Sequence, residues 1–219
     1  SSTHSSVAIH DGLAYTTDTE GNLYILNART GQKRHRFRTP GGNTDSPVAA
    51  NGLVYFNSSG KVYAIDAKAR EIPGELQFKK VWAQFWLWQI PGVPKPPGQK
   101  GGRWRFSPDS EDAGIISPPA VADSVLYAGD THGIFYARDG IDGSEVWRLQ
   151  ADGAISASPV VLGNLIYFGT RNGTLYALDR SSGELIWQIS LGAPIEAAPA
   201  FAQGRIYIRT SDGQLHAIQ

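Results

Sequence analysis

The chain has 219 residues, a length compatible with one domain, and its 20 Lys and Arg balance its 20 Asp and Glu. A formal charge of zero gives no reason to expect bulk attraction to nucleic acid or to an anionic membrane, although the basic residues are unevenly spread. The absence of cysteine excludes a disulfide framework and thiol chemistry, and no apolar run is long enough for a transmembrane helix. Methionine is absent too, as is a signal peptide, which reads as a processed chain or a segment of something longer.

From the N-terminus, residues 1–6 are rich in Ser and Thr and read as loose. A first group of short strands is expected over 7–38; its last strand carries Lys33, Arg34, Arg36 and Arg38, read either as a solvated edge that resists pairing or as a basic docking edge. A Pro-Gly-Gly loop over 39–43 leads to a second group over 46–82, through Val54-Tyr55-Phe56 and Val62-Tyr63-Ala64-Ile65-Asp66. Its third-to-fourth-strand connection is enlarged over 67–78, and Lys79-Lys80-Val81-Trp82 reads as the displaced fourth strand. Residues 83–115 continue the insertion. Pro91, Pro94, Pro96 and Pro97 there favour extended or polyproline II backbone over helix. If Phe85-Trp86-Leu87-Trp88 is a strand, Trp86 and Trp88 share one face. Three further groups follow, over 118–149, 158–189 and 198–218, the last with three strands only.

These groups are copies of one unit. Gly-x-apolar-aromatic recurs at Gly21 to Tyr24, Gly60 to Tyr63, Gly133 to Tyr136 and Gly173 to Tyr176, with His216 in the aromatic place of a fifth copy. Four short strands in a period of about 40 residues, punctuated by Asn-Gly and Asp-Gly turns, specify an all-β propeller blade. The run Leu-Tyr-Ala-Leu-Asp-x-x-x-Gly-x-x-x-Trp (Tyr176, Ala177, Asp179, Gly183, Trp187) occurs again at Tyr136, Ala137, Asp139, Gly143 and Trp147. It resembles the repeat of the pyrroloquinoline-quinone (PQQ) propeller superfamily. Tyr63, Ala64 and Asp66 match before the insertion intervenes; the first copy departs, with Asn27 for the aspartate and His35 for the tryptophan. The resemblance implies four full blades and an incomplete fifth. Either the chain is a five-repeat protein, or it is part of a seven- or eight-bladed propeller, which the family's usual size favours.

Side chains that could carry chemistry have structural readings. The turns Asp18 to Gly21, Asp130 to Gly133 and Asp212-Gly213 offer too few converging carboxylates for calcium and suit hairpin turns. Trp82, Trp147 and Trp187 are expected to pack between blades, and Asp66, Asp139 and Asp179 to cap turns. His4, His10, His35, His132 and His216 show no zinc spacing. No catalytic, cofactor-binding or metal-binding residue is assigned, and no cofactor is expected. Quinoprotein dehydrogenases of the superfamily add calcium, a catalytic aspartate and often adjacent cysteines; none of these is identifiable here.

Recognition remains, because loops on a rigid scaffold carry binding residues and Trp and Arg are enriched at interface hot spots. Phe85, Trp86, Trp88, Arg103, Trp104, Arg105 and Phe106 form the expected partner-binding set; the alternative is that these aromatics fold back over the blade. The resemblance implies a non-enzymatic scaffold that docks protein partners, similar in character to BamB-like outer-membrane assembly propellers, with a periplasmic or extracellular envelope location. An extracellular ligand-sensing propeller and a fragment of a PQQ-dependent dehydrogenase stand as alternatives.

Overall fold

The structure, a computed structural model, describes residues 5–42, 45–71, 74–96 and 98–219; His4, Asn43 and Pro97 lie outside the described residues. Blade one is β1 (Ala8–His10), β2 (Leu13–Thr17), β3 (Asn22–Asn27) and β4 (Lys33–Arg38). Blade two holds β5 (Val48–Ala50), β6 (Leu53–Ser58) and β7 (Lys61–Asp66), then a helix α1 (Glu75–Leu87), then β8 (Gly102–Phe106). Blade three is β9 (Ala120–Ala122), β10 (Val125–Gly129), β11 (Ile134–Asp139) and β12 (Glu145–Gln150). Blade four is β13 (Val160–Leu162), β14 (Leu165–Gly169), β15 (Thr174–Asp179) and β16 (Leu185–Ser190). Blade five has β17 (Ala200–Ala202), β18 (Arg205–Arg209) and β19 (Leu215–Ile218). Each blade is an antiparallel sheet in chain order, four-stranded except the last, as the repeat predicts. The same register shift falls between the third and fourth strands of all four complete blades, at Ile25/Leu26, Ala64/Ile65, Ala137/Arg138 and Ala177/Leu178.

The cores lie between blades, and strand alternation places them there. In β6, Val54 and Phe56 face blade one and join Tyr15, Leu23 and Ile25. Their neighbours Leu53 and Tyr55 face blade three and join Leu126, Ala128 and Tyr136. Blade three in turn turns Phe135 toward Phe168 of blade four, with ring centroids 4.1 Å apart. Each such buried side chain contributes about 1.5–3 kcal/mol, so a blade needs a neighbour on both faces.

A repeated polar geometry locks the junctions of blades two with three and three with four at the same backbone point. Tyr55 Oη and Trp104 Nε1 both donate to the carbonyl of Gly140, at 3.1 and 2.8 Å. One junction on, Tyr127 Oη and Trp147 Nε1 both donate to the carbonyl of Arg180, at 3.0 Å each. That carbonyl belongs to the turn after the third strand, which the preceding aspartate shapes. Asp139 accepts the backbone N–H groups of Ile141 and Asp142, and Asp179 those of Ser181 and Ser182. The Ser181 hydroxyl and these amides hold the Asp179 carboxyl down at about 2. Gly143 and Gly183 close the turns at φ 77° and 76°, where an added Cβ would lie 2.8 Å from the Trp104 ring and 2.6 Å from the Trp147 ring. Glycine is needed there both for backbone and for space.

Two expectations for blade two are corrected. Residues 79–82 are not its fourth strand: they lie inside α1. The fourth strand is β8, and Trp104, opposite Ala64, takes the place that Trp147 and Trp187 take opposite Ala137 and Ala177. Residues 85–88 form the end of the helix rather than a strand. Pro91, Pro94 and Pro96 do lie outside helix, and α1 ends before Pro91. The turn aspartates behave as turn formers: Asp18 accepts the N–H groups of Glu20 and Asn22, and Asp130 those of His132 and Ile134.

Candidate interaction site

The site is the connection between β7 and β8. Its two legs are fastened to the outer edge of blade one. In β4 the backbone groups of residues 34, 36 and 38 point away from β3. Glu71 donates its N–H to the Arg34 carbonyl at 3.0 Å and accepts the Arg36 N–H on Oε1 at 3.1 Å. The Gln99 amide spans both groups of Arg38, accepting its N–H at 2.8 Å and donating to its carbonyl at 2.6 Å. The Lys100 carbonyl lies 3.1 Å from His35 Nε2, so the histidine that replaces the repeat tryptophan in blade one meets the insertion. The edge of β4 is therefore covered by the chain itself, neither fully solvated nor free to dock a partner strand.

Beyond these legs α1 runs for about 20 Å. Gly74, at φ 80°, starts it without a side-chain cap. Its C-terminus is a Schellman motif: Ile90 N–H donates to the Phe85 carbonyl and Gln89 N–H to the Trp86 carbonyl, with Gln89 at φ 52° where glycine is usual. The return segment is tied back along the helix by Trp82 Nε1 donating to the Pro94 carbonyl at 2.9 Å and by Lys79 Nζ donating to the Gly98 carbonyl at 3.0 Å.

Phe78, Val81, Phe85 and Trp88 follow an i, i+3, i+7, i+10 spacing and share one face. That face is turned to solvent: Phe78 is 66% and Trp88 64% exposed, and Val81 and Phe85 are exposed as well. Phe78 contacts Trp82 edge-on and Phe85 contacts Trp88, so the aromatics support one another rather than the propeller. Phe78 and Val81 lie outside the set expected from the sequence, where their i, i+3, i+7 spacing with Phe85 was the available signal; Leu87, two residues past Phe85, points to another side.

The expected partner-binding set is thus split. Phe85, Trp86 and Trp88 are together on the exposed end of α1. Trp104 and Phe106 belong to β8 and are taken up by the junction with blade three, where Phe106 packs edge-on against Tyr136 and under the Arg138 guanidinium. Arg103 and Arg105 alternate with them on the exposed side of β8, and Arg103 pairs with Asp66 at 2.8 Å. The signal for β8 was spacing: Trp104 precedes Pro119 by 15 residues, near the 12 that separate Trp147 from Pro159, whereas Trp82 precedes it by 37.

One concave feature competes with the insertion. A 790 Å³ wedge between blades four and five is lined by Tyr167, Trp187, Phe201, Ile206 and Ile218. At the two preceding junctions a glycine turn lies over the equivalent tryptophan, Gly143 over Trp104 and Gly183 over Trp147, so the wedge beside Trp187 corresponds to the seat that such a turn fills there. Among the described residues no three His, Cys, Asp or Glu side chains gather in a way that could hold a metal ion.

Comparison with known proteins bears on the scaffold. The family model described as "Outer membrane protein assembly factor BamB" matches residues 1–150, 81–170 and 142–219. No curated protein matches the chain. Among solved structures, BamB from Moraxella catarrhalis is similar at a TM-score of 0.74 and 17% identity, over 98% of this chain and 60% of that one. The computationally designed Ika8 protein is similar at 0.72 and 14%, over 97% and 57%. The quinohemoprotein alcohol dehydrogenase ADHIIG from Pseudomonas putida HK5 is similar at 0.69 and 15%, over 98% and 40%. The chain therefore spans at most 60% of the length of these structures, and at such identities they share its fold alone. With matches that run from the first residue to the last, the chain belongs to the PQQ-repeat propeller family described by the outer membrane protein assembly factor BamB.

Proposed function

We propose that this chain is a non-enzymatic scaffold of a larger assembly at the cell envelope, and that the insertion of blade two is its attachment element. One observation carries the reading. The repeat buries its aromatics between blades, whereas α1 holds Phe78, Phe85, Trp86 and Trp88 out in solvent on a base bonded to β4. An apolar face of that kind is costly to maintain in water and marks an interaction surface. The BamB family match supports a scaffold at the envelope. The likeness to an alcohol dehydrogenase is one of fold.

The test is attachment to envelope fractions. Intact chain, and a variant in which residues 72–98 are replaced by a short Gly-Ser turn and whose β-sheet circular dichroism is unchanged, are incubated with total envelope material. The intact chain is expected to be retained and the variant released. Equal retention of both would place attachment on the propeller faces and overturn the role given to α1.

A further inference from the structure

Phe85, Trp86, Leu87 and Trp88 close α1 in one unbroken run. Successive side chains leave a helix about 100° apart, so these four point to every side of the axis. All four are exposed, Leu87 at 68%, and Ile90 extends the exposed apolar surface past the cap. A protein groove covers one face of a docked helix and would leave part of this tip in water. An end that is apolar on all sides is covered completely by a fluid medium that closes around it.

Charge is the second observation. The protein is neutral overall, yet β4 and residues 66–105 hold twelve of its 20 Lys and Arg and three of its 20 Asp and Glu, one of them the Asp66 paired with Arg103. Glu71, Gln99 and Lys100 bind these two segments together, so the excess is concentrated in space. Lys80 stands about 9 Å behind Trp86 along the helix. Lys95 follows Pro94, whose carbonyl Trp82 holds one turn behind the tip. The order along the axis is an apolar end, then a cationic collar, then the propeller. Among the described residues no helix is long and apolar enough to cross a membrane, so an inserted tip would stay shallow.

We infer that residues 85–90 seat in the headgroup–acyl boundary of an anionic phospholipid bilayer, with Lys80, Lys95 and the basic surface behind them against the lipid phosphates. This rests on α1 being the attachment element and names what it attaches to. Tryptophan suits that depth, since its ring is apolar and its N–H reaches the wet headgroups, and lysine stems let the ammonium groups lie against the phosphates. The neutrality of the whole chain is no obstacle: screening confines each charge to about 10 Å, so the bilayer meets the local excess.

The test uses the whole chain with sedimenting vesicles of phosphatidylglycerol and phosphatidylethanolamine, and with vesicles of phosphatidylcholine alone. Co-sedimentation and a blue shift of tryptophan emission are expected with the anionic vesicles, weakening as salt is raised. W86Q/W88Q is expected to lower the partition coefficient by about tenfold or more, and K80Q/K95Q by about fivefold per lysine on anionic vesicles only. All four positions are exposed and remote from the blade cores, and circular dichroism checks that the fold is kept. Absence of binding at low salt, or binding that W86Q/W88Q leaves unchanged, overturns the inference. Capture of a protein through α1 from detergent-solubilised envelope without vesicle binding would overturn the lipid assignment and leave α1 as the attachment element. A dimer in sedimentation velocity that W86Q/W88Q disperses, again without vesicle binding, would identify the occupant as a second copy and overturn it too.

Discussion

The junction of blades three and four and the insertion of blade two both present tryptophans and use them in opposite ways. Trp147 packs against Tyr127 and Phe135, lies over the space left by Gly183 and donates to the Arg180 carbonyl. Trp86 and Trp88 are as aromatic and as close in sequence to β-forming residues, yet stand in solvent at the end of a helix. What separates them is supply of a partner. The repeat delivers a glycine turn and a carbonyl to Trp147 from the next blade, whereas an inserted segment has no counterpart in its neighbours. Here the aromatics inside the repeat unit are packed between blades, and those at the end of the insertion are exposed.

The widest separation should appear on truncating one tryptophan from each region. Trp147→Ala removes an inter-blade ring and is expected to cost about 3–5 kcal/mol. Trp88→Ala is expected to stay within about 0.5 kcal/mol. Denaturant titration of both variants measures the contrast, and a large loss at Trp88 would mean that the tip is packed and the comparison fails.

A smaller effect should come from the junction lock at Tyr55. Burial first, and the charge of Asp139 second, push its hydroxyl up to about 12. The folded value lies above the unfolded value of about 10, so the neutral phenol stabilises the fold fully below about pH 10 and that contribution is lost as pH rises through about 12. Tyr55→Phe is expected to cost about 1 kcal/mol at neutral pH through the lost bond to Gly140. It should also flatten the fall in stability over that alkaline window, read from denaturant titrations at several pH values. An unchanged alkaline fall would mean that other buried tyrosines govern it.

The smallest effect belongs to the insertion. Gln89 occupies a left-handed position that costs a non-glycine residue about 1–2 kcal/mol, offset in part by the greater unfolded freedom of glycine. Gln89→Gly should therefore stabilise α1 by about 0.5–1 kcal/mol. Amide exchange at the helix terminus should slow while exchange in the blades stays the same. Slowing in the blades as well would show the helix to be coupled to the propeller core, against the division drawn here.

Much of the fold was legible because its information is local. Alternation in Leu53-Val54-Tyr55-Phe56 assigns successive residues to opposite junctions, and the Asp-x-x-x-Gly turns carry their own hydrogen bonds. The insertion was not legible in the same way. Its short apolar run fits a strand or a helix equally by composition, and only the wider i, i+3, i+7 spacing from Phe78 distinguishes them. Composition marks Phe85, Trp86 and Trp88 as candidates for recognition, but it cannot separate them from Trp104 and Phe106, which share their chemistry and differ in having a blade to enter.

The sequence by itself determined the blade unit, its number of copies, the turn aspartates and glycines, and the inter-blade role of Trp147 and Trp187, because each follows from a period of two or a turn within a few residues. Tertiary structure decided which tryptophan completes blade two, that residues 75–87 are helical, and that the insertion closes the edge of blade one. Those outcomes depend on pairings between Ala64 and Trp104 and between Arg38 and Gln99. The residues of each pair are brought together by loop closure over many residues, and nothing in the local pattern at either end specifies the other.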